Sequence, residues 1–288
     1  MSYPTYGVID IHVHIQPWHM VTSAVVDVMR RTRHDLASLD PIMQNPDRLI
    51  QLMDEQGVEK AGLINYVSPD VIGFDDSVND YSAGYAKRHP DRLIPYGSVH
   101  PRFSKDPAGD MDRIIGDLGI KAIKIHPPHQ LLYANEYLNG LEGLGTIYAK
   151  AQEYGVPVMI HTGTSIFPSA RNKYGDPIHV DDVAVDFPNL KIILAHVGRP
   201  LWMETCLFLV RRHPNVYVDI SSIPPRRLLD YCPWIERIAD KTMFGTDWPA
   251  PLVPSMKANI RQFYALPISE EAKRQILRET ALKVFGAR

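Results

Sequence analysis

Short apolar runs rich in Ile and Val recur along this chain, separated by longer stretches in which apolar residues return with the period of a helix. Most of the runs are too apolar for strands with one solvated face, and they are typical of parallel strands covered on both sides. Eight strands are predicted, at residues 8–14, 61–66, 94–100, 120–126, 157–161, 192–196, 216–221 and 242–247.

The stretches between these runs predict helices, and local signals support several helix ends. Asn45 places a capping residue before Pro46 at the first helical position, while Gly57 and Gly155 follow helices where a left-handed cap is favoured. The predicted helices cover residues 46–57, 76–89, 106–118, 141–154, 179–187, 201–213, 226–239 and 269–285.

Strands and helices therefore alternate, and no linker or low-complexity tract divides the 288 residues. Eight parallel units of roughly 30 residues favour a closed (β/α)8 barrel over an open doubly wound sheet, because closure leaves no sheet edge. We predict a single α/β domain over residues 1–288, a TIM barrel. The longest connection, residues 15–45, follows the first strand and is predicted to form a lid at the mouth of the barrel.

The overall composition narrows the classes of function. Lys and Arg total 31 against 33 Asp and Glu, a formal net charge of −2, so no global field favours nucleic acid or an anionic membrane. Cys206 and Cys232 lie in apolar surroundings with no second thiol nearby in sequence, which gives no support to a disulfide framework or a cysteine-rich zinc site. The N-terminus does not resemble a signal peptide and no stretch has the character of a membrane span, so a cytoplasmic enzyme acting on a small molecule is expected.

Metal-binding or proton-carrying side chains lie at the carboxyl ends of four predicted strands. His12 and His14 are two residues apart on the first strand, so both imidazoles leave one face of the strand, close enough to hold one ion. His161, His196 and Asp247 end the fifth, sixth and eighth strands. Because barrel active sites assemble at this rim, the pattern predicts a metal-dependent enzyme.

Further polar and aromatic residues near the same rim are candidates for substrate contact. Alternation along the fourth strand places two of them, a lysine and a histidine, on the inward face, and two arginines in later loops have guanidinium groups that suit an anionic substrate. The predicted substrate-binding residues are Lys124, His126, Arg171, Arg199, Trp18 and Trp248. His100 and His129 are secondary candidates, and Asp10 is expected either to orient an imidazole or to be a satisfied polar group at the barrel floor.

The segments Asp10-Ile11-His12-Val13-His14 and Gly245-Thr246-Asp247-Trp248-Pro249, together with the histidines that end strands five and six, resemble the amidohydrolase superfamily over nearly the whole chain. Lys124-Ile125-His126-Pro127 and Ala195-His196-Val197-Gly198-Arg199-Pro200 favour the branch that includes aminocarboxymuconate-semialdehyde decarboxylase and many metal-dependent hydrolases.

This resemblance implies that one divalent ion is surrounded by four ligands, while His196 lies beside it as a catalytic group. The implied ligands are His12, His14, His161 and Asp247. Three imidazoles and a carboxylate suit Zn²⁺, with Mn²⁺, Fe²⁺ or Co²⁺ as substitutes.

The first hypothesis for the reaction is hydrolysis of an ester, lactone or amide of a small carbonyl compound by metal-activated water. Asp247 then collects the proton of the water and His196 donates to the oxyanion. The alternative is non-oxidative decarboxylation of a small carboxylic acid, aromatic acids among them, in which His196 or Asp247 protonates the carbon. The compact chain favours hydrolysis, because decarboxylases of this branch tend to carry longer insertions. A metal-stabilised binding protein without turnover is a third interpretation, and it predicts a saturated coordination sphere.

Two questions stay open at this level. In binuclear relatives a strand-four lysine is carboxylated and bridges two metals, which would make His161 and His196 ligands of a second ion. A free Lys124 would instead pair with a substrate carboxylate, and the branch that the motifs favour is mononuclear. A homodimer formed through the outer helices is also expected, and light scattering tests it.

Overall fold

The computed structural model describes residues 3–251 and 253–286. Its centre is an eight-stranded sheet in the order β1 to β8, in which each strand is parallel to the next. The backbone after β8 returns to β1, where the Asp247 N–H donates to the His12 carbonyl at 2.8 Å and the His14 N–H donates to the Trp248 carbonyl at 2.7 Å. These bonds close the sheet, and the (β/α)8 barrel predicted from the sequence is confirmed.

All eight predicted strands are present, with shifted ends. The strands are Val8–His14 (β1), Val58–Ile64 (β2), Leu93–Gly97 (β3), Ala122–Ile125 (β4), Val158–His161 (β5), Ile192–Ala195 (β6), Val216–Asp219 (β7) and Thr242–Met243 (β8). The second strand begins three residues before its predicted start, and the eighth is the shortest because its continuation leaves the ladder toward β1.

The helices follow the strands, and the predicted caps are confirmed where Asn45 accepts from the Asp47 N–H and where Gly57 has a φ of 75°. The helices are Ser23–Thr32 (α1), Leu36–Gln44 (α2), Pro46–Gln56 (α3), Ser77–Ala86 (α4), Pro107–Asp112 (α5), Pro127–Gln130 (α6), Glu142–Glu153 (α7), Val180–Asp186 (α8), Met203–Arg212 (α9), Leu228–Tyr231 (α10), Met256–Tyr264 (α11), Glu270–Arg274 (α12) and Thr280–Phe285 (α13). A π-helical turn, Gln275–Glu279, joins α12 to α13.

One predicted helix is wrong, and several helices, α2, α6 and α11 among them, were not predicted. Residues 226–239 form short pieces instead of one helix, because Pro233 has no N–H to donate and disfavours helical backbone at Cys232 before it. Helix α2 lies inside the predicted lid segment, and α11 is capped by Ser255, the residue before the helix, whose side chain accepts from the Ala258 N–H.

The barrel interior shows how the strands position polar groups. Inward-facing Met159, Ile193, Tyr217 and Met243 belong to one apolar cluster that fills the lower part of the barrel. One step further along β5 and β7, the same inward register carries His161 and Asp219 to the carboxyl-terminal rim. No helix in the described ranges is long and apolar enough to cross a bilayer.

Candidate metal centre

Three donor groups converge at the carboxyl-terminal rim of the barrel. Ligand atoms of His12, His196 and Asp247 all lie within 4.8 Å of one another, and all three residues are buried. They come from β1 and from the backbone just beyond β6 and β8. In the described part of the chain this is the set of side chains that is close enough to surround one ion.

The orientation of the His12 ring is set by a carboxylate behind it. His12 Nδ1 lies 2.7 Å from Asp219 Oδ2, whereas His12 Nε2 is buried and has no hydrogen-bond partner. Burial acts to raise the pKa of Asp219, but the His12 imidazole, through its charge and its hydrogen bond, and the neighbouring His196 outweigh it and hold the pKa well below its ordinary value. The Ser221 N–H also donates to Asp219 Oδ1 at 2.6 Å. An ionised Asp219 keeps the proton of His12 on Nδ1, so Nε2 presents a lone pair to the centre.

His196 is held in a similar manner by the loop after β7. Its Nδ1 lies 2.8 Å from Ser221 Oγ and 3.2 Å from the Ser221 carbonyl oxygen. Burial lowers the pKa of His196 well below its ordinary value, which favours the neutral ring. A neutral ring that donates from Nδ1 has its Nε2 free to bind a metal or to accept a proton.

Asp247 joins the two histidines of β1. Its Oδ1 lies 3.0 Å from His14 Nε2 and 3.4 Å from His12 Nε2, and Ser222 Oγ donates to Oδ2. Burial opposes ionisation, yet the hydrogen bond from His14 and the neighbouring histidines hold the pKa of Asp247 well below its usual range. The carboxylate is therefore ionised where the imidazoles meet.

His161 lies on the other side of His196, with 4.7 Å between the two ring centroids. Its ring stacks on His126 at 3.8 Å, and its Nε2 is buried without a hydrogen-bond partner. His161 and His14 thus line the same cavity as the converging trio without belonging to it. The structure places His196 among the closest donors, so the division into metal ligands and a catalytic His196 stays a prediction.

These residues fit a divalent ion. Buried polar atoms in folded proteins are normally satisfied, yet His12 Nε2 and His161 Nε2 are both orphaned at this centre. A site that offers unsatisfied imidazole nitrogens beside an ionised carboxylate has the donor set of a zinc or manganese centre. His12, His196 and Asp247 would hold the ion, with His14 and His161 within the same group of side chains.

A cavity of about 610 Å³ opens above this centre. Of the predicted substrate-binding residues, Lys124, His126 and Arg199 line it. The three others lie outside its lining, and these are Trp18, Trp248 and Arg171. Trp248 packs in the core and half-buried Trp18 packs against it, whereas Arg171 is exposed in the loop after β5. The cavity gives no support to these three predictions.

Two cations, Lys124 and Arg199, line the cavity with buried side-chain atoms and have no carboxylate partner in the described residues. Lys124 is 1% exposed, and its Nζ contacts the thioether of Met159 at 3.3 Å. Burial lowers the pKa of Lys124 to about 8, against the attraction of Asp219 and Asp247. Arg199 has a buried Nε without a hydrogen-bond partner. Buried charges are normally paired, so these groups favour an anionic ligand.

Sequence reasoning missed several residues of this site. Asp219 and Ser221 orient the two central histidines, and Ser222 donates to Asp247. Asp219 ends β7 as His161 ends β5, and that parallel is a signal from which it was predictable. Asp10, expected as one alternative to orient an imidazole, instead accepts from the backbone N–H of His12 and from the N–H and hydroxyl of Thr246. It is a satisfied polar group beneath the site.

The sequence matches the family described as Amidohydrolase over residues 9–287. The chain therefore belongs to the amidohydrolase family, as its motifs indicated. Among curated proteins it is similar to a 2-amino-3-carboxymuconate-6-semialdehyde decarboxylase of Dictyostelium discoideum, with 23% identity over 257 residues, 75% of this chain and 67% of that protein.

Solved structures share the fold over nearly the whole chain. An uncharacterised TIM-barrel protein of Bordetella bronchiseptica has a TM-score of 0.73 and 23% identity, covering 97% of this chain and 98% of its own. A 5-carboxyvanillate decarboxylase of Sphingomonas paucimobilis has a TM-score of 0.66 and 18% identity, with 98% and 99% covered. A dihydroxybenzoic acid decarboxylase of Polaromonas, solved with bound manganese and 2-nitroresorcinol, has a TM-score of 0.67 and 19% identity, with 98% and 97% covered.

Proposed function

We propose that this protein is a metal-dependent decarboxylase of a small carboxylic acid that carries a hydroxyl or keto oxygen beside the carboxylate. The observation that carries the proposal is the pair of unpaired cations, Lys124 and Arg199, in the same cavity as the His12, His196 and Asp247 centre. A neutral ester or lactone, as the substrate of a hydrolase, has no anionic group that could pair with these cations. The names of the relatives favour decarboxylation for the same reason, since their substrates are acids.

The cavity walls support a substrate with an unsaturated or aromatic body. Apolar side chains from three regions of the chain line it, and these are Val25, Met29, Ile72, Phe74 and Phe167. A volume of about 610 Å³ is in the range of small-ligand pockets and admits a single-ring acid. The polar end and the apolar walls together orient such an acid with its carboxylate toward the centre.

In the proposed reaction the carbon–carboxylate bond breaks, CO₂ leaves, and the electron pair left on carbon takes up one proton, with no net consumption of water. A bound divalent ion would supply the positive charge that holds the carboxylate and its neighbouring oxygen. Lys124 pairs with the carboxylate away from bulk water, because its side chain is almost fully buried. Asp247 and His196 are the groups we propose to exchange the proton with the substrate carbon.

Zinc, expected from the donor set, and manganese, bound in structures of two relatives, are both candidates for the metal. Elemental analysis of protein purified without added metal identifies it.

The test is a panel of hydroxybenzoates and lactones given to the metal-loaded protein, with CO₂ release and acid release followed in parallel. We expect CO₂ in equal amount to the acid consumed, lost on chelation and restored by Zn²⁺ or Mn²⁺. Acid release from lactones without CO₂ from any acid would instead support hydrolysis. Binding of the acids without either reaction would support the binding-protein interpretation.

A further inference from the structure

Three side chains that the proposed reaction does not use form a hydrogen-bonded chain along one wall of the cavity. Tyr66 Oη lies 2.8 Å from His129 Nδ1, and His129 Nε2 lies 2.6 Å from Ser165 Oγ. The three residues follow β2, β4 and β5, and all of them line the cavity. We call this arrangement the Tyr66–His129–Ser165 chain.

The backbone around these residues is fixed. Ser68 Oγ donates to the His129 carbonyl at 3.1 Å, and Gln130 Nε2 donates to the Val67 carbonyl at 3.1 Å, which ties α6 to the loop after β2. The Tyr66 and His129 rings also both stack on His126, with centroid distances of 4.7 and 3.5 Å. The Tyr66–His129–Ser165 chain is therefore preorganised before any ligand enters.

The Tyr66–His129–Ser165 chain has one more polar hydrogen than its two hydrogen bonds use. Burial, with a contribution from Lys124, lowers the pKa of His129 well below its ordinary value, so its ring is neutral and carries one N–H. Ser165, His129 and Tyr66 then offer one hydrogen each to two hydrogen bonds. When Ser165 donates to Nε2, His129 donates from Nδ1 to Tyr66, and the phenolic hydrogen has no acceptor among the described residues. The reverse direction leaves the spare hydrogen on half-buried Ser165.

The phenol is also close to the chemistry. His126 separates Tyr66 from His161, with ring centroids 4.7 Å apart on one side and 3.8 Å apart on the other. Burial raises the pKa of Tyr66 well above its ordinary value, and the charge of Asp247 adds to this, so the hydroxyl keeps its hydrogen. A protonated donor with a fixed neighbour behind it suits an oxygen acceptor in front of it.

We propose that Tyr66 donates its hydrogen to the oxygen beside the carboxylate of the substrate, and that His129 and Ser165 position this donor. Tyr66 is then a specificity-determining residue, because only an acid with that oxygen can accept the phenolic hydrogen. The inference rests on the proposed function for the class of ligand, but its test requires only binding.

The experiment measures the dissociation constants of 2-hydroxybenzoate and benzoate by calorimetry on metal-loaded protein. We expect Tyr66→Phe to weaken 2-hydroxybenzoate about tenfold and benzoate less than about twofold, since a hydrogen bond to the hydroxyl oxygen is lost for one probe alone. Ser165→Ala should act in the same direction to a smaller extent, and its half-buried site makes it a second variant if Tyr66→Phe folds poorly. Tyr148→Phe is the matched control, because that buried hydroxyl donates to the Ala134 carbonyl and does not line the cavity.

Equal weakening of both probes by Tyr66→Phe would show a structural role, and no weakening of either would exclude the contact; both results overturn the inference. The proposed function is tested separately, by the release of CO₂. A protein that shows the expected selectivity but releases no CO₂ keeps the Tyr66 contact and loses the decarboxylase assignment.

Discussion

Replacement of Asp219 by Asn tests whether the carboxylate behind His12 sets the tautomer of the ring for metal binding. Asp219 is fully buried, and its Oδ2 lies 2.7 Å from His12 Nδ1, the length of a charge-assisted hydrogen bond. The amide keeps the shape of the side chain, so no cavity forms. The substitution removes the negative charge that keeps the proton on Nδ1, and Nε2 then presents its lone pair less completely.

The expected loss follows from the position of Asp219 behind a ligand. Removal of such a partner costs about 10–100-fold in metal affinity, which corresponds to roughly 1.4–2.7 kcal/mol. Ser221 Oγ lies 3.1 Å from the same Nδ1 and offers a second, neutral acceptor, so we expect the lower half of that range. Ligand geometry is otherwise unchanged.

The assay is Zn²⁺ binding in competition with a chromophoric chelator, together with thermal unfolding of the metal-free protein. Asp10→Asn is the matched control, because Asp10 is equally buried and its hydrogen bond to His12 is made with the backbone N–H and not with the ring. We expect this control to change unfolding but to leave metal affinity within about threefold, short of the loss expected for a true partner of the ligand. Wild-type affinity in Asp219→Asn, or a greater loss in the control, would refute the reasoning.

Three other substitutions probe the same centre. A Cβ at Gly245 would lie 2.7 Å from the Cβ of His12, so Gly245→Ala should lower both the unfolding temperature and metal affinity, while Gly84→Ala, with open space around it, should lower neither in the same two assays. Asp247→Asn should abolish turnover, and a wild-type-like kcat in that variant would refute its role. Lys124→Met should raise KM for acids at least about tenfold, since a charged hydrogen bond is lost, and an unchanged KM would exclude the contact with the carboxylate.

Much of the fold was predictable because a barrel repeats one simple pattern. Each buried strand is a short apolar run, and each run ends at the same rim, so the alternation of runs and helices specified the closed sheet. The same logic predicted the placement of His12, His161 and Asp247, because parallel strands bring their carboxyl ends together. Helix boundaries were less predictable where Pro233 interrupts an otherwise helical stretch.

The remainder of the site depends on backbone that has no period. Tyr66 and Ser165 lie two and four residues beyond the ends of β2 and β5, where alternation no longer tells which way a side chain points. The same limit explains why Arg171, predicted to bind substrate, lies outside the cavity lining while Arg199 lies within it. Residue type alone did not separate the two arginines.

The ends of the strands, more than the strands themselves, set the geometry of this centre. His196, Ser222 and Asp247 have φ values of 64°, 58° and 67°, a region that costs a non-glycine residue on the order of 1–3 kcal/mol. Glycine would relieve each strain, but it would remove an imidazole, a hydroxyl donor or a carboxylate from the site. These strained residues carry functional groups of the site, so the site lowers the local stability of the barrel. The closed sheet around them holds the unfavourable backbone in position.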